Sequence, residues 1–230
     1  MGARGTITGA ATALLLTAGL LGPAAGATGV AADVDSAAST TVVVNKLRPL
    51  DPVDYVPADL RRVRAERLEV RAATAFDGLV RAAKRDGVNV VPISGYRSYA
   101  QQASLYDSYV RQYGQEVADT IAARPGHSEH QTGLAVDVGN ASGVCALQDC
   151  FEGTPVGAWV ADHAAEHGFV IRYPEGAEHV TGYAYEPWHL RYVGPGLAEE
   201  LADRAAAEGP VAGTLEDYFG LPAAPDYAAG

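Results

Sequence analysis

Apolar residues recur along this chain with two periods, and the switches between them mark out its elements. Leu60, Val63, Leu68, Ala72, Phe76, Leu79 and Val80 come at roughly three-to-four-residue intervals before Gly87, which predicts one helix from about Pro57 to Asp86. Ahead of it, "VVVN" predicts a short strand and "KLRPLDPVDYVPADL" a Pro-punctuated extended segment. "VNVVPISGYRS" predicts a buried strand that turns at Ser94-Gly95, and "YAQQASLYDSYVRQYGQEVADTIA" a second helical region broken at Gly114. From Leu134 to Val138 the pattern alternates, with Ala135 and Asp137 on one face and Leu134, Val136 and Val138 on the other. "TPVGAWVADHAAEHGF" then predicts a third helix, "FVIRYP" a strand, and "TGYAYEPWHLRYVG" a turn into another strand. "PGLAEELADRAAAEG" predicts a last helix, and "TLEDYFGLPAAPDYAAG" reads as a tail. Helices and short strands mix without regular alternation, so the expected class is α+β and not a doubly wound sheet.

The first 27 residues change the picture, because they fit no globular element. A basic start at Arg4, an apolar run from about Ala10 to Leu21 and a small-residue end near Ala27 form the pattern of a secretory signal peptide. The apolar run falls short of the ~20 residues of a spanning helix, so no stable membrane insertion is expected after cleavage. Residues 28–41 read as a flexible lead-in and 42–230 as one domain with its tail, a length one hydrophobic core can serve. Export would carry the protein outside the cell, in association with the envelope. A formal charge of −11 excludes nucleic acid, whose phosphates need clustered Lys and Arg. Cys145 and Cys150, with four residues between them, are expected to pair as a local disulfide in an oxidising compartment.

The chemistry concentrates in "RPGHSEHQTGLAVDVGN", residues 124–140. Gly133 permits a bend that returns His130 toward the face carrying Asp137. An imidazole and a carboxylate make two metal ligands, and a zinc ion that keeps a water needs three. All six histidines lie between 127 and 189, and only His189, in Glu186-Pro187-Trp188-His189, sits in an equally unusual context. Pro187 argues for a turn there, which would set the Glu186 carboxylate above an ion held by His130, Asp137 and His189. The bland reading of His130 with Asp137 is a hydrogen-bonded pair, and the third ligand is what weighs against it. His163 and His167, four apart beside Asp162 and Glu166, read as a solvated helix face. Ser128 lacks the G-x-S-x-G elbow of a serine hydrolase.

"SGYRS", "SEHQTGLAVD" and "EPWH", in this order, resemble the zinc D-alanyl-D-alanine carboxypeptidases of the VanY type, whose ligand scheme VanX-type dipeptidases share. The resemblance runs from about Val44 through "TGYAYEPWHLRYVG" and reaches toward "TLEDYFGL". It implies His130, Asp137 and His189 as Zn2+ ligands and Glu186 as general base. It also implies that Arg97 stabilises the oxyanion or holds substrate, with Ser128 and Gln102 touching substrate. The implied fold is a small antiparallel sheet flanked by helices, with zinc in a groove on the sheet.

The expected activity is therefore a secreted D,D-carboxypeptidase that removes the terminal D-alanine from peptidoglycan stem peptides or their precursor. L,D-carboxypeptidase and cross-link endopeptidase activities would use the same metal chemistry. A non-catalytic peptidoglycan-binding module is the rival from another class, and it predicts a missing base or a closed four-ligand site. The sequence assigns no oligomeric state.

Overall fold

A computed structural model describes residues 1–2 and 32–228; all but the first two residues of the segment read as a signal peptide lie outside the described residues. A two-stranded hairpin opens the fold, with β1 (Leu60–Val63) antiparallel to β2 (Glu66–Glu69). Helix α1 (Val70–Arg85) follows directly, its first amides capped by the Glu69 side chain. A four-stranded antiparallel sheet forms the centre in the order β3 (Val90–Ser94), β4 (Ala135–Asn140), β6 (His189–Tyr192), β5 (Phe169–Ile171). Between β3 and β4 run α2 (Tyr99–Tyr113) and α3 (Gln115–Ile121), which break at Gly114 as the sequence predicts. A capping box between Ser98 and Gln101 starts α2. Helix α4 (Pro155–His163) precedes β5, α5 (Glu178–Thr181) precedes β6, and α6 (Pro195–Glu208) and α7 (Leu215–Tyr218) close the chain. The expected α+β class and small antiparallel sheet are what the chain adopts. Among the described residues no helix is long and apolar enough to cross a membrane.

The sheet buries one apolar face against α1. Ala72, Phe76 and Leu79 of the helix meet Leu134, Val136, Val138 and Leu190, and Phe76 sits edge-on to Phe169 at 6.2 Å. The alternation read from Leu134 to Val138 thus divides core from site, because Asp137 points to the other face. A smaller cluster joins Val43 with Val193, Ala198, Leu201 and Leu215.

The structure departs from the sequence reading in four segments. The helix predicted from Pro57 starts only at Val70, because residues 60–69 form the hairpin. Arg64 adopts φ 55° in the two-residue connection, and the main chain and side chain of β2 bond the "SGYRS" turn: Tyr96 N–H donates to Arg67 O and Gly95 N–H to Glu66 Oε2. Those long-range bonds outweigh a helical periodicity that is imperfect there, with five residues from Val63 to Leu68. "VVVN" makes no regular strand; Val42, Val43 and Val44 are buried in irregular backbone that has a single bridge, Asn45 to Arg48. The segment read as a tail carries structure of its own: it forms α7, buries Leu215 and Glu216, and returns the Ala224 N–H to Val180 O. Within the stretch read as a lead-in, residues 32–41 make turns that bury Ala37.

Candidate active site and metal centre

The polar face of the sheet carries the predicted ligands. Asp137 on β4 and His189 on β6 are direct register partners, so two neighbouring strands present them side by side. His130 arrives from a single 3-10 turn, Glu129–Thr132, closed by Gly133 in the left-handed conformation at φ 70°. A side chain at Gly133 would bring Cβ within 2.9 Å of the Glu69 amide nitrogen, so both conformation and space require glycine. Gly95 is similarly confined: a Cβ there would lie 2.5 Å from Arg67 O.

His130 Nε2 stands 3.2 Å from Asp137 Oδ2, and His189 Nδ1 stands 3.1 Å from Asp137 Oδ1. The two imidazoles meet nearly perpendicular, 5.0 Å between centroids. One donor atom from each of the three residues lies within 4.8 Å of the others, close enough for all three to reach one ion. Each ring's remote nitrogen is also engaged, His130 Nδ1 with Gly95 O at 2.8 Å and His189 Nε2 with Glu129 Oε2 at 3.4 Å. Among the described residues these three are the His, Cys, Asp or Glu group whose donor atoms converge closely enough to hold an ion. The donor set, its convergence and its secured outer nitrogens fit Zn2+.

Glu186 sits beside this triad, with Oε2 3.6 Å from His189 Nδ1. A turn through Pro187 positions it: Glu186 N–H donates to Tyr173 O, and His189 N–H donates back to Glu186 O. Burial, together with the nearby Asp137 and Glu129 carboxylates, pushes the Glu186 carboxyl up to about 7 despite the opposing pull of His189. Burial opposes the charge on His189, yet its hydrogen bonds to Asp137 and Glu129 lift the imidazole to about 10. Burial likewise opposes ionisation of Asp137, and both imidazoles overcome it, holding that carboxyl well below its usual range.

Arg97, Gln102 and Ser128 line the same cleft of about 370 Å³ with the triad and Glu186. A register shift between Pro92 and Ser94 brings Ser94 opposite Asp137, where its Oγ accepts from Arg97 Nη2. Gln102 is buried and accepts from Arg97 Nη1 at 2.8 Å while donating to Ala123 O, so its side chain is committed to orienting the arginine. Leu147 and Asp149 of the disulfide loop form one wall, beside Tyr185 and Trp188, and the Cys145–Cys150 bond is present as expected.

Sequence reasoning missed Glu129, Arg172 and Tyr173. Glu129 is wholly buried behind His189, and Tyr173 packs its ring 4.9 Å from that imidazole. A lone arginine within the apolar strand "FVIRYP" was the available signal for a buried acidic partner.

Residues 65–195 match the model of the family described as VanY: D-alanyl-D-alanine carboxypeptidase. The chain belongs to the VanY family. A putative carboxypeptidase, YodJ, of Bacillus subtilis is 40% identical over 187 residues, which are 77% of this chain and 66% of that relative, so the chain spans just under two thirds of it. The solved LdcB LD-carboxypeptidase superposes with a TM-score of 0.72 at 38% identity, covering 80% of this chain and 87% of that one. A D,D-pentapeptidase VanY from a VanB-type resistance cassette, solved with Zn(II), gives 0.65 at 31% identity over 78% of this chain and 98% of its own. All the sequence-predicted site residues fall within the stretch that the VanY family model matches.

Proposed function

We propose that this VanY family member is a zinc carboxypeptidase that hydrolyses the terminal D-Ala-D-Ala bond of peptidoglycan stem peptides. The observation that carries this reading is the convergence of His130, Asp137 and His189 beside a buried carboxylate, Glu186, in an open cleft. A closed structural site would need a fourth protein ligand, and a binding module would need no base. His130 through Nε2, His189 through Nδ1 and Asp137 would hold the ion. When bound, zinc lowers the pKa of its water toward ~7 and polarises the scissile carbonyl.

The remaining work falls to side chains. Glu186 accepts the proton of the attacking water at its carboxylate and returns it to the leaving amine. Arg97, fixed by Gln102 and Ser94, supplies positive charge to the carbonyl oxygen as it becomes an oxyanion. Ser128, buried in the cleft wall, contacts the C-terminal end of the peptide. The signal-like start supports a location outside the cell at the envelope, where this substrate lies.

Similarity to the LdcB LD-carboxypeptidase supports a second reading, removal of D-alanine from a tetrapeptide by L,D-cleavage. One assay separates the two: D-alanine release from the pentapeptide and from the tetrapeptide by the purified, zinc-loaded protein, with Glu186→Ala as control. Release from the pentapeptide that the control abolishes, with zinc still near one per chain, is the expected outcome. Release from the tetrapeptide alone transfers the enzyme to the L,D class. Silence on both substrates with zinc bound overturns the carboxypeptidase reading.

A further inference from the structure

Behind the proposed ligands lies a buried cluster of four charges: Glu129, Arg172, Arg191 and Glu216, all essentially inaccessible to solvent. Arg172 donates from Nε to Glu129 Oε1 at 2.9 Å and from both Nη atoms to Glu216 at 2.9 and 2.6 Å. Arg191 Nη1 donates to the same Glu129 Oε1 at 2.6 Å, and its Nη2 donates to Thr40 O and Val42 O. Two carboxylates balance two guanidiniums, so the cluster is neutral and satisfied, as buried charge must be. The two oxygens of Glu129 differ, however. Oε1 takes both arginines, whereas the side-chain partner of Oε2 is His189 Nε2, at 3.4 Å.

We propose that Glu129 is a positioning residue for the metal centre, its Oε2 holding the proton of His189 on Nε2 so that Nδ1 presents its lone pair to the ion. The idea rests on the reading that His130, Asp137 and His189 bind zinc, and it adds a role that those three residues leave unassigned. A neutral imidazole carries one proton on one nitrogen, and the partner of the remote nitrogen decides which. His130 has that decision made by the Gly95 carbonyl at Nδ1, leaving Nε2 for the ion. His189 uses the opposite nitrogen, and the acceptor that makes this choice is Glu129. The arginines are part of the device, because by occupying Oε1 they fix which oxygen faces the ring.

Glu129→Gln separates this role from simple charge balance. The amide has one oxygen, and Arg172 and Arg191 both require an acceptor at the Oε1 position. The amide nitrogen is then turned toward His189 Nε2 as a donor. The ring must accept there and carry its proton on Nδ1, where the ion should bind.

Two measurements on the full chain test the proposal. Zinc affinity is read by competition with a chromophoric chelator, with Phe76→Leu as a control that disturbs the distant core. Glu129→Gln is expected to weaken zinc about 10–100-fold, the usual cost of losing a partner behind a metal-bound histidine, while Phe76→Leu stays within about twofold. Nitrogen NMR of histidine-labelled, zinc-loaded wild type needs no variant, and is expected to show His189 metal-bound at Nδ1 and protonated at Nε2. Binding of His189 through Nε2, or a folded Glu129→Gln with wild-type zinc affinity, overturns the positioning role alone. Wild type that binds no zinc, or binds it as well after His189→Ala, overturns the ligand reading and this one with it.

Discussion

The two faces of the central sheet are both buried, yet they are held by opposite means. Against α1 the sheet packs Phe76, Leu79, Leu134, Val136, Val138 and Leu190, where each contact is non-directional and neighbours share the load. On the other face Asp137, His189, Arg191 and Glu129 are as deeply buried, and each depends on particular partners at particular atoms. The first face stabilises the fold and tolerates conservative change. The second positions groups, and the loss of one partner strands another in a medium that does not solvate it.

That contrast can be broken in graded steps. The largest effect should come from Glu186→Gln, which should cut kcat by about 10²–10⁴-fold at unchanged zinc content; a variant within threefold of wild type would remove Glu186 as the base. Phe76→Ala should cost about 3–5 kcal/mol in denaturant unfolding while zinc affinity and kcat of the folded fraction hold. A change of more than tenfold in either would show that the apolar face also positions the site.

A pH experiment sharpens the comparison, because only the polar face has charges to titrate. The Glu186 carboxyl stands raised to about 7 in the fold against about 4.5 when exposed. Such a group contributes stability that is fully present below pH 4.5 and lost as pH rises through 7. In the metal-free protein, Glu186→Gln should therefore be the more stable form at pH 8, by about 3 kcal/mol, with the advantage vanishing near pH 4. Equal stabilities at both pH values would mean that the carboxylate is solvated. The smallest effect is expected at the Cys145–Cys150 staple, whose short loop is worth at most about 2 kcal/mol. Because Leu147 and Asp149 of that loop wall the cleft, Cys145→Ser should raise KM severalfold and leave kcat intact.

The sheet and the ligand triad were legible in the sequence because their signals are local. The alternation from Leu134 to Val138 and the bend at Gly133 lie within ten residues of His130, and Pro187 marks the Glu186 turn. Residues 60–69 misled because their apolar spacing suits a helix, while the bonds that make them a hairpin reach residues 95 and 96. Glu129 was passed over inside the very motif that was read, since its partners Arg172 and Arg191 stand 43 and 62 residues away. What orders the tail was illegible for the same reason: a glutamate at 216 meets an arginine at 172. Periodicity reports which side of an element is dry. It does not report which buried charge answers which.

The bond from Asn45 Nδ2 to Glu216 Oε1 spans 171 positions of the chain. Arg172 links that bond to Glu129, and Glu129 to His189. During synthesis, Glu216 leaves the ribosome after Asn45, Glu129, Arg172 and His189. A nascent chain can collapse around α1 and the sheet before then, but its pocket stays unfinished until Glu216 meets Asn45 and Arg172. Maturation of the centre is thereby tied to the arrival of Glu216, and a chain cut before it inherits the core without the clasp.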